Sequence, residues 1–340
     1  MSIVPEGWGT RTAPSGVQAG APLTRIQGPA SALALVGDAL ASAERTLAGL
    51  VHSDVAAVPV VGGYLLASGG KRLRPALTAL GARAVGWNRD PARLMCVGEL
   101  IHLGSLLHDD VVDDGVLRRG RPAAHRVYGN AVSVLTGDFC LARAVLLASE
   151  EGGHAAVTQL AAAVTEMAEG EVLQLRRAGD LGSTLPQYLD VIDRKSAALI
   201  AWCCAAGAWA KGDAAAAAAL AAFGRGVGRA FQITDDVLDY AEGTGKAPGA
   251  DLRERKVTLP LLYAMAADPA LRVALEAGPP DEVQLPNWIA RVRASGALDR
   301  ALADARSAVA EAVGALDVLP PSDARDALTV LGWHLVERVT

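Results

Sequence analysis

The sequence predicts an all-α protein. Three observations carry that expectation. Alanine dominates the apolar residues, aromatic residues make up only 4% of the chain, and from Pro29 onward apolar side chains recur at three- and four-residue spacing. Alanine is the strongest helix former, whereas strands draw on β-branched and aromatic residues. Two-residue alternation, the mark of a half-buried strand, is scarce. With 340 residues, 51% hydrophobic and 20% charged, the chain can bury a sizeable core as one large domain or two ordinary ones. No composition shift divides it and no short repeat recurs, so a single helical domain over 29–340 is the economical expectation.

Residues 1–28 are rich in Gly, Pro, Ala and Thr, and no basic segment leads into an apolar run. They read as a disordered tail and not as a secretory signal. Helices are expected over 30–52, 75–86, 91–116, 130–150, 154–177, 185–211, 213–241, 255–267, 286–293, 297–315 and 321–338. The breaks fall on turn residues: Gly69-Gly70, Gly115 to Pro122, Gly179 to Gly182, Gly243 to Gly249 and Gly278-Pro279-Pro280. The longest uncharged stretch, Ser196 to Ala210, is too short to cross a bilayer. It predicts a buried core helix, and the chain is read as having no transmembrane segment.

A net charge of −5 gives no basic footprint, so no nucleic-acid partner is expected. Any anionic ligand must then be held by local cations or by metal ions. Cys96, Cys140, Cys203 and Cys204 lack metal-ligand spacing and read as buried thiols of a reducing cytoplasm. The histidines form no HExxH pair, which disfavours a histidine-held metal.

Two acidic clusters stand out. Asp109, Asp110 and Asp113 form one DDxxD run, and Asp235, Asp236 and Asp239 form another. On a helix Asp109 shares a face with Asp113, and Asp235 with Asp239, and like charges so placed destabilise the helix unless a cation offsets them. Each cluster follows apolar helical sequence, so its carboxylates are expected to face a cavity. Magnesium fits such donors, because it takes hard oxygens and bridges carboxylates to phosphates. A solvated acidic face would explain one such cluster but explains two poorly.

Cations complete the pattern. Gly69-Gly70-Lys71-Arg72-Leu73-Arg74-Pro75 places three of them in a glycine turn, with Pro75 suited to a helix start. Arg118 and Arg119 follow the first aspartates, and Lys195, Lys246 and Lys256 are further candidates. Each alone would be an ordinary surface cation. Beside two magnesium-type clusters they suggest two diphosphates gathered around shared metals.

With these segments assembled, the sequence resembles the trans-isoprenyl diphosphate synthases, or polyprenyl synthetases. The likeness is carried by GGKRLRP (69–75), ELIHLGSLLHDDVVDDGVLRRGRP (99–122), GNAVSVLTGDF (129–139), GEVLQL (170–175), RKSAAL (194–199) and the run from GRAFQITDDVLDY to GKAPGADLRERKVTLPLL (228–262). It implies the isoprenoid synthase fold, an antiparallel helical bundle around a deep central cavity, and a homodimer. It also implies a magnesium-dependent prenyltransferase that joins isopentenyl diphosphate to an allylic diphosphate. The resemblance assigns Asp109, Asp110, Asp113, Asp235, Asp236 and Asp239 to three magnesium ions. Arg118, Lys195 and Lys256 would help hold the allylic diphosphate, and Lys71, Arg74, His102 and Arg119 the isopentenyl diphosphate. Gln232 and the Lys195-Ser196 pair lie where the family stabilises the developing carbocation; Ser196 replaces the usual threonine. Arg-Glu-Arg-Lys at 253–256 departs from the family's frequent glycine before the lysine.

No side chain stands out as general base, and the family gives that role to the released pyrophosphate. The loop from Gly243 to Asp251 is expected to act as a lid. Gly98, Ile101, Gly104 and Ser105 lie on or beside the stripe that leads back from Asp109. Short-chain members often carry an aromatic where Gly104 and Ser105 stand, so a product of at least twenty carbons is expected. Close helix packing explains Gly104 equally well, and Phe139 is a candidate plug. A terpene cyclase would carry a dissimilar second metal motif, a regulatory subunit would lose aspartates or arginines, and a di-iron bundle would need ExxH pairs. Membrane contact is expected only transiently, during release of a greasy product.

Overall fold

Helices fill the chain as the apolar spacing requires. The computed structural model describes residues 26–67, 70, 72–118, 120–241 and 248–337. In chain order they form α1 (Pro29–Ala34), α2 (Gly37–Leu50), α3 (Ala57–Leu66), α4 (Leu73–Ala84) and α5 (Ala92–Val112). A two-strand hairpin, β1 (Leu117–Arg118) and β2 (Arg121–Pro122), leads to α6 (Ala124–Tyr128) and α7 (Asn130–Arg176). There follow α8 (Leu185–Ile192), a π-helix (Asp193–Ala197), α9 (Ala198–Lys211), α10 (Ala214–Leu238), α11 (Ala250–Arg253) and α12 (Leu259–Ala267). The series ends with α13 (Pro269–Ala277), α14 (Leu285–Ala294), α15 (Ala297–Ala315) and α16 (Asp323–Glu337).

These elements form two compact units, each drawn from separate stretches of chain. The first takes the chain up to Ala162 together with Trp202–Ala221 and Val318–Val330; the second takes Ala163–Ala201, Ala222–Asp317 and the chain from Leu331. In the first unit, Leu77 and Leu80 of α4 and Leu94, Met95, Leu100, Ile101 and Leu107 of α5 are fully buried. Helices approach closely where side chains are absent. A Cβ added at Gly81 would overlap the Cys204 carbonyl, and one at Gly207 would meet Ala82. The second unit's core joins Ile233, Val237 and Tyr240 to Leu259 and Leu261 of α12 and Ala305 and Val309 of α15.

Several expectations change in detail. Helix α3 lies where no helix is expected: Pro59 is tolerated because it lies in the first turn, and Gly62 packs against Val51. The short helices α6 and α13 and the hairpin are too brief to show a period. Helix α5 ends at Val112, four residues before the expected stop, because Asp114 turns left-handed with φ 49°. The break expected between 150 and 154 is a kink inside α7 at Gly153, φ 69°. The intact helix is long and apolar enough, by length and composition, to cross a membrane. The expected helices 130–150 and 154–177 are each shorter than this continuous one. Its buried Ala144, Leu147 and Ala148 belong to the core.

Candidate active site

Each acidic cluster closes a long helix. Asp109 and Asp110 lie in the last turn of α5, and Asp113 is the first residue beyond it, its N–H donating to the Asp109 carbonyl at 2.8 Å. Asp235 and Asp236 lie in the last turn of α10, and Asp239 follows just past the end, donating to the Asp235 carbonyl at 3.2 Å. A helix C-terminus already carries partial negative charge, so carboxylates there are doubly unfavourable without a cation.

In the first unit, Asp113 is exposed, Asp109 half-buried and Asp110 buried. The Arg118 Nε donates to Asp110 Oδ1 at 2.6 Å, while Asp110 Oδ2 is buried with no hydrogen-bond partner. Arg118 reaches this point from the β1–β2 hairpin, where Leu117 pairs with Pro122. Arg126 steadies the approach by donating to the Asp114 carbonyl at 2.8 Å. Arg74 stands in the first turn of α4 with its Nε buried and lacking an acceptor. His102 lies on α5, two turns ahead of the aspartates. Lys71, Arg119 and Lys246, with most of the expected lid, lie outside the described residues.

Of the four chain-length candidates, two are glycines at close packing contacts, as the alternative reading of Gly104 expects. A Cβ on Gly104 would meet the Gly137 carbonyl at 3.0 Å and Leu141 at 3.3 Å, and one on Gly98 would strike the Cys203 sulfur. Ile101 is fully buried. Ser105 is half-buried, its hydroxyl donating to the His102 carbonyl at 2.9 Å. Phe139 is half-buried, with the Arg143 guanidinium 5.4 Å from its ring centre.

In the second unit, protein donors surround most of the acidic cluster. Asp236 is buried; it accepts from the Tyr188 hydroxyl at 2.7 Å and the Gln232 amide at 2.8 Å. The Ser196 hydroxyl donates to Gln232 at 2.7 Å, so Ser196, Gln232 and Asp236 form one chain of hydrogen bonds. Asp239 accepts from the backbone N–H groups of Ala250 and Asp251, at 3.2 and 3.0 Å, and thereby caps α11. Asp235 is half-buried. Burial pushes the Asp236 carboxyl above the usual range and raises Tyr188 well above an ordinary phenol, with Asp236 adding to the latter shift.

Asp251 is a participant the sequence reading missed. It is buried, accepts from Thr258 at 2.9 Å, and lies 3.8 Å from Lys256. Its burial lifts it to about 8 against the opposing pull of Lys256. Desolvation works against the Lys256 charge, but Asp251 and Asp236 outweigh it and hold the ammonium above its ordinary value. Arg255 precedes this lysine in left-handed backbone, φ 51°. The family's frequent glycine would adopt that shape freely, so the loop keeps its form despite the arginine.

Lys195 sits in the π-helix and donates to Glu171 at 2.6 Å. A Cβ on Gly170 would lie 2.6 Å from the Lys195 backbone nitrogen, so only glycine permits this approach. Such π-turns recur at functional sites because they re-aim one side chain. Glu171 was visible within GEVLQL without a role. Nothing in the spacing marked Tyr188, Thr258 or Asp251.

The donor set suits magnesium. All six candidates are hard oxygens, and the orphaned Asp110 Oδ2 is a buried acceptor waiting for a positive partner. Among the described residues no three His, Cys, Asp or Glu side chains converge into a ready-made cage. Magnesium commonly takes one or two carboxylates and completes its shell with water and phosphate oxygens.

The polyprenyl synthetase family model matches residues 58–285. The octaprenyl diphosphate synthase of Haemophilus influenzae is 39% identical over 299 residues, spanning 85% of this chain and 90% of that protein. Component 2 of the heptaprenyl diphosphate synthase of Geobacillus stearothermophilus is 36% identical over 310 residues, 89% of this chain and 97% of that one. Among solved structures, a polyprenyl synthase from Caulobacter crescentus, complexed with calcium and isoprenyl diphosphate, superposes with a TM-score of 0.87 at 41% identity. It covers 93% of this chain and 100% of its own. A decaprenyl diphosphate synthase from Rhodobacter capsulatus gives a TM-score of 0.86 at 36% identity, covering 92% and 99%.

Proposed function

The chain belongs to the polyprenyl synthetase family, and from that premise we propose how its residues divide the work of a trans-prenyltransferase. The enzyme condenses isopentenyl diphosphate with an allylic diphosphate and releases a linear polyprenyl diphosphate of twenty carbons or more. The observation that carries this reading is the pair of acidic helix ends, each set beside basic residues. One meets Arg118 directly, and the other lies in the field of Lys256, whose charge Asp236 favours.

The six aspartates Asp109, Asp110, Asp113, Asp235, Asp236 and Asp239 are assigned to magnesium binding, a reading supported by the buried Asp110 Oδ2 that no protein donor meets. Three ions are expected once diphosphate is bound, and magnesium there would draw charge onto the departing diphosphate. Arg118, Lys195 and Lys256 hold the allylic diphosphate, and Lys246 is a further candidate for diphosphate binding. Lys71, Arg74, His102 and Arg119 hold the isopentenyl diphosphate. The buried, acceptor-less Arg74 Nε favours such an anion. Gln232 and Ser196 turn their dipoles toward positive charge developing on the allylic carbon. The proton lost after carbon–carbon bond formation goes to the released pyrophosphate.

The residues 29–340 act as one catalytic domain, cytoplasmic and homodimeric, meeting a membrane only when product leaves. The dimer reading is supported by Leu135, Val145 and Leu146 of α7, apolar yet 65%, 42% and 50% exposed in the single chain. Four buried, unpaired cysteines favour a reducing compartment.

The test is incubation of purified protein with magnesium, isopentenyl diphosphate and separate allylic primers, with mass analysis of the products. A ladder ending at one linear polyprenyl diphosphate of at least twenty carbons is expected. Cyclic hydrocarbons would establish a cyclase instead, and no elongation by folded protein would point to a regulatory subunit.

A further inference from the structure

The basic turn holds three cations, and the sequence reading gives a role to Lys71 and Arg74 but none to Arg72. In the structure Arg72 is the N-cap of α4, with φ 48° and ψ 33°, a left-handed conformation that side chains seldom adopt. Its guanidinium explains why it is held there. Nε and Nη2 fork onto the Glu44 carboxylate of α2, and Nη1 donates to Glu99 of α5 at 3.0 Å. The Arg72 and Glu99 side chains are only 18% and 7% exposed, so this part of the triad is largely removed from water.

All three guanidinium nitrogens are thus committed to protein carboxylates, which leaves Arg72 badly placed to serve as an anion ligand. Glu99 precedes His102 by three residues on the same face of α5. Arg74 follows two residues after Arg72. We propose that Arg72 is a positioning residue: its fork onto Glu44 and Glu99 fixes the start of α4, and with it Arg74, against α2 and α5 and so sets the isopentenyl diphosphate half of the site. The inference rests on the reading that Arg74 and His102 hold that diphosphate. A planar, two-sided fork is required, which lysine cannot supply.

The experiment measures KM for isopentenyl diphosphate, KM for the allylic diphosphate and kcat in the full-length enzyme. The variants are Arg72→Gln, Arg72→Lys, Glu44→Gln and Arg74→Gln. Arg72→Gln leaves the buried Glu99 charge uncompensated, so the neutral double variant Arg72→Gln/Glu99→Gln guards against simple loss of folding. Arg72→Gln and the double variant are expected to raise the isopentenyl KM about tenfold, a scale reached when a remote change misplaces a binding group. The allylic KM and kcat should stay within about twofold, since a uniform loss of one substrate's binding leaves turnover intact. Glu44→Gln should give a smaller shift of the same kind, and Arg72→Lys partial rescue. Unchanged isopentenyl KM in both Arg72→Gln and the double variant, while Arg74→Gln raises it, would overturn the positioning role and leave the site reading standing. An equal rise in both KM values would also overturn it, as a merely structural effect. If Arg74→Gln itself leaves the isopentenyl KM unchanged, the site reading fails, and this inference with it.

Discussion

The same DDxxD pattern ends α5 and α10, yet the two ends are dressed differently. On α5 an arginine meets one aspartate, a second oxygen of that residue stays buried without a partner, and Asp113 faces solvent. On α10 a tyrosine, a glutamine and two backbone amides already occupy Asp236 and Asp239. A motif therefore names the chemistry available, while the donors around it decide which oxygens remain for a metal. The first end is built to accept new partners. The second is pre-organised by the donors that hold Asp236 and Asp239.

The comparison can be broken most directly at its extremes. Asp109→Asn and Asp235→Asn should each lower kcat by on the order of a thousandfold or more, because each removes charge where diphosphate charge develops. Steady-state kinetics across a magnesium titration would check this.

Next in size is a packing effect. Gly104→Phe must displace the Gly137 backbone or Leu141, and overpacking of this kind costs roughly 1–3 kcal/mol or more. Thermal melts should show that loss, so a changed product from this variant could not be read as a cavity effect alone. Ser105→Phe, at the half-buried neighbour, is the cleaner probe and is expected to shorten the product by mass analysis.

Tyr188→Phe removes one hydrogen bond to buried Asp236. Losing a bond to a charged group costs about 1.5–3 kcal/mol, and turnover should fall roughly tenfold with a raised magnesium requirement. No change in magnesium dependence would show that the tyrosine serves packing only. Asp239→Asn sharpens the contrast, since the amide can accept only one of the two backbone N–H bonds that the carboxylate accepts. Thermal melts should show a loss of about 1–3 kcal/mol, the cost of leaving one donor unmet. The smallest change is Arg255→Gly, which relieves left-handed backbone but loosens the unfolded chain. The net shift in unfolding free energy should stay within about 1 kcal/mol.

The aspartates and most of the candidate cations are legible in the sequence, because they stand in short local patterns. What stayed hidden was long-range. Tyr188 is 48 residues from Asp236, and Glu171 is 24 from Lys195. No spacing rule links such pairs. Asp251 looked like one more loop carboxylate, because its burial depends on elements that the sequence does not place around it.

By itself the sequence determined the helical class, since alanine content and apolar period act within a few residues of chain. It determined two acidic helix ends and the cations near them for the same local reason. Only the tertiary structure decided which aspartates are already engaged, which glycines are required for helix contact, and that Arg72 clamps α2 and α5 instead of facing a ligand. Those outcomes depend on burial and on partners brought from distant segments, and burial sets what a charge costs and whom it must meet.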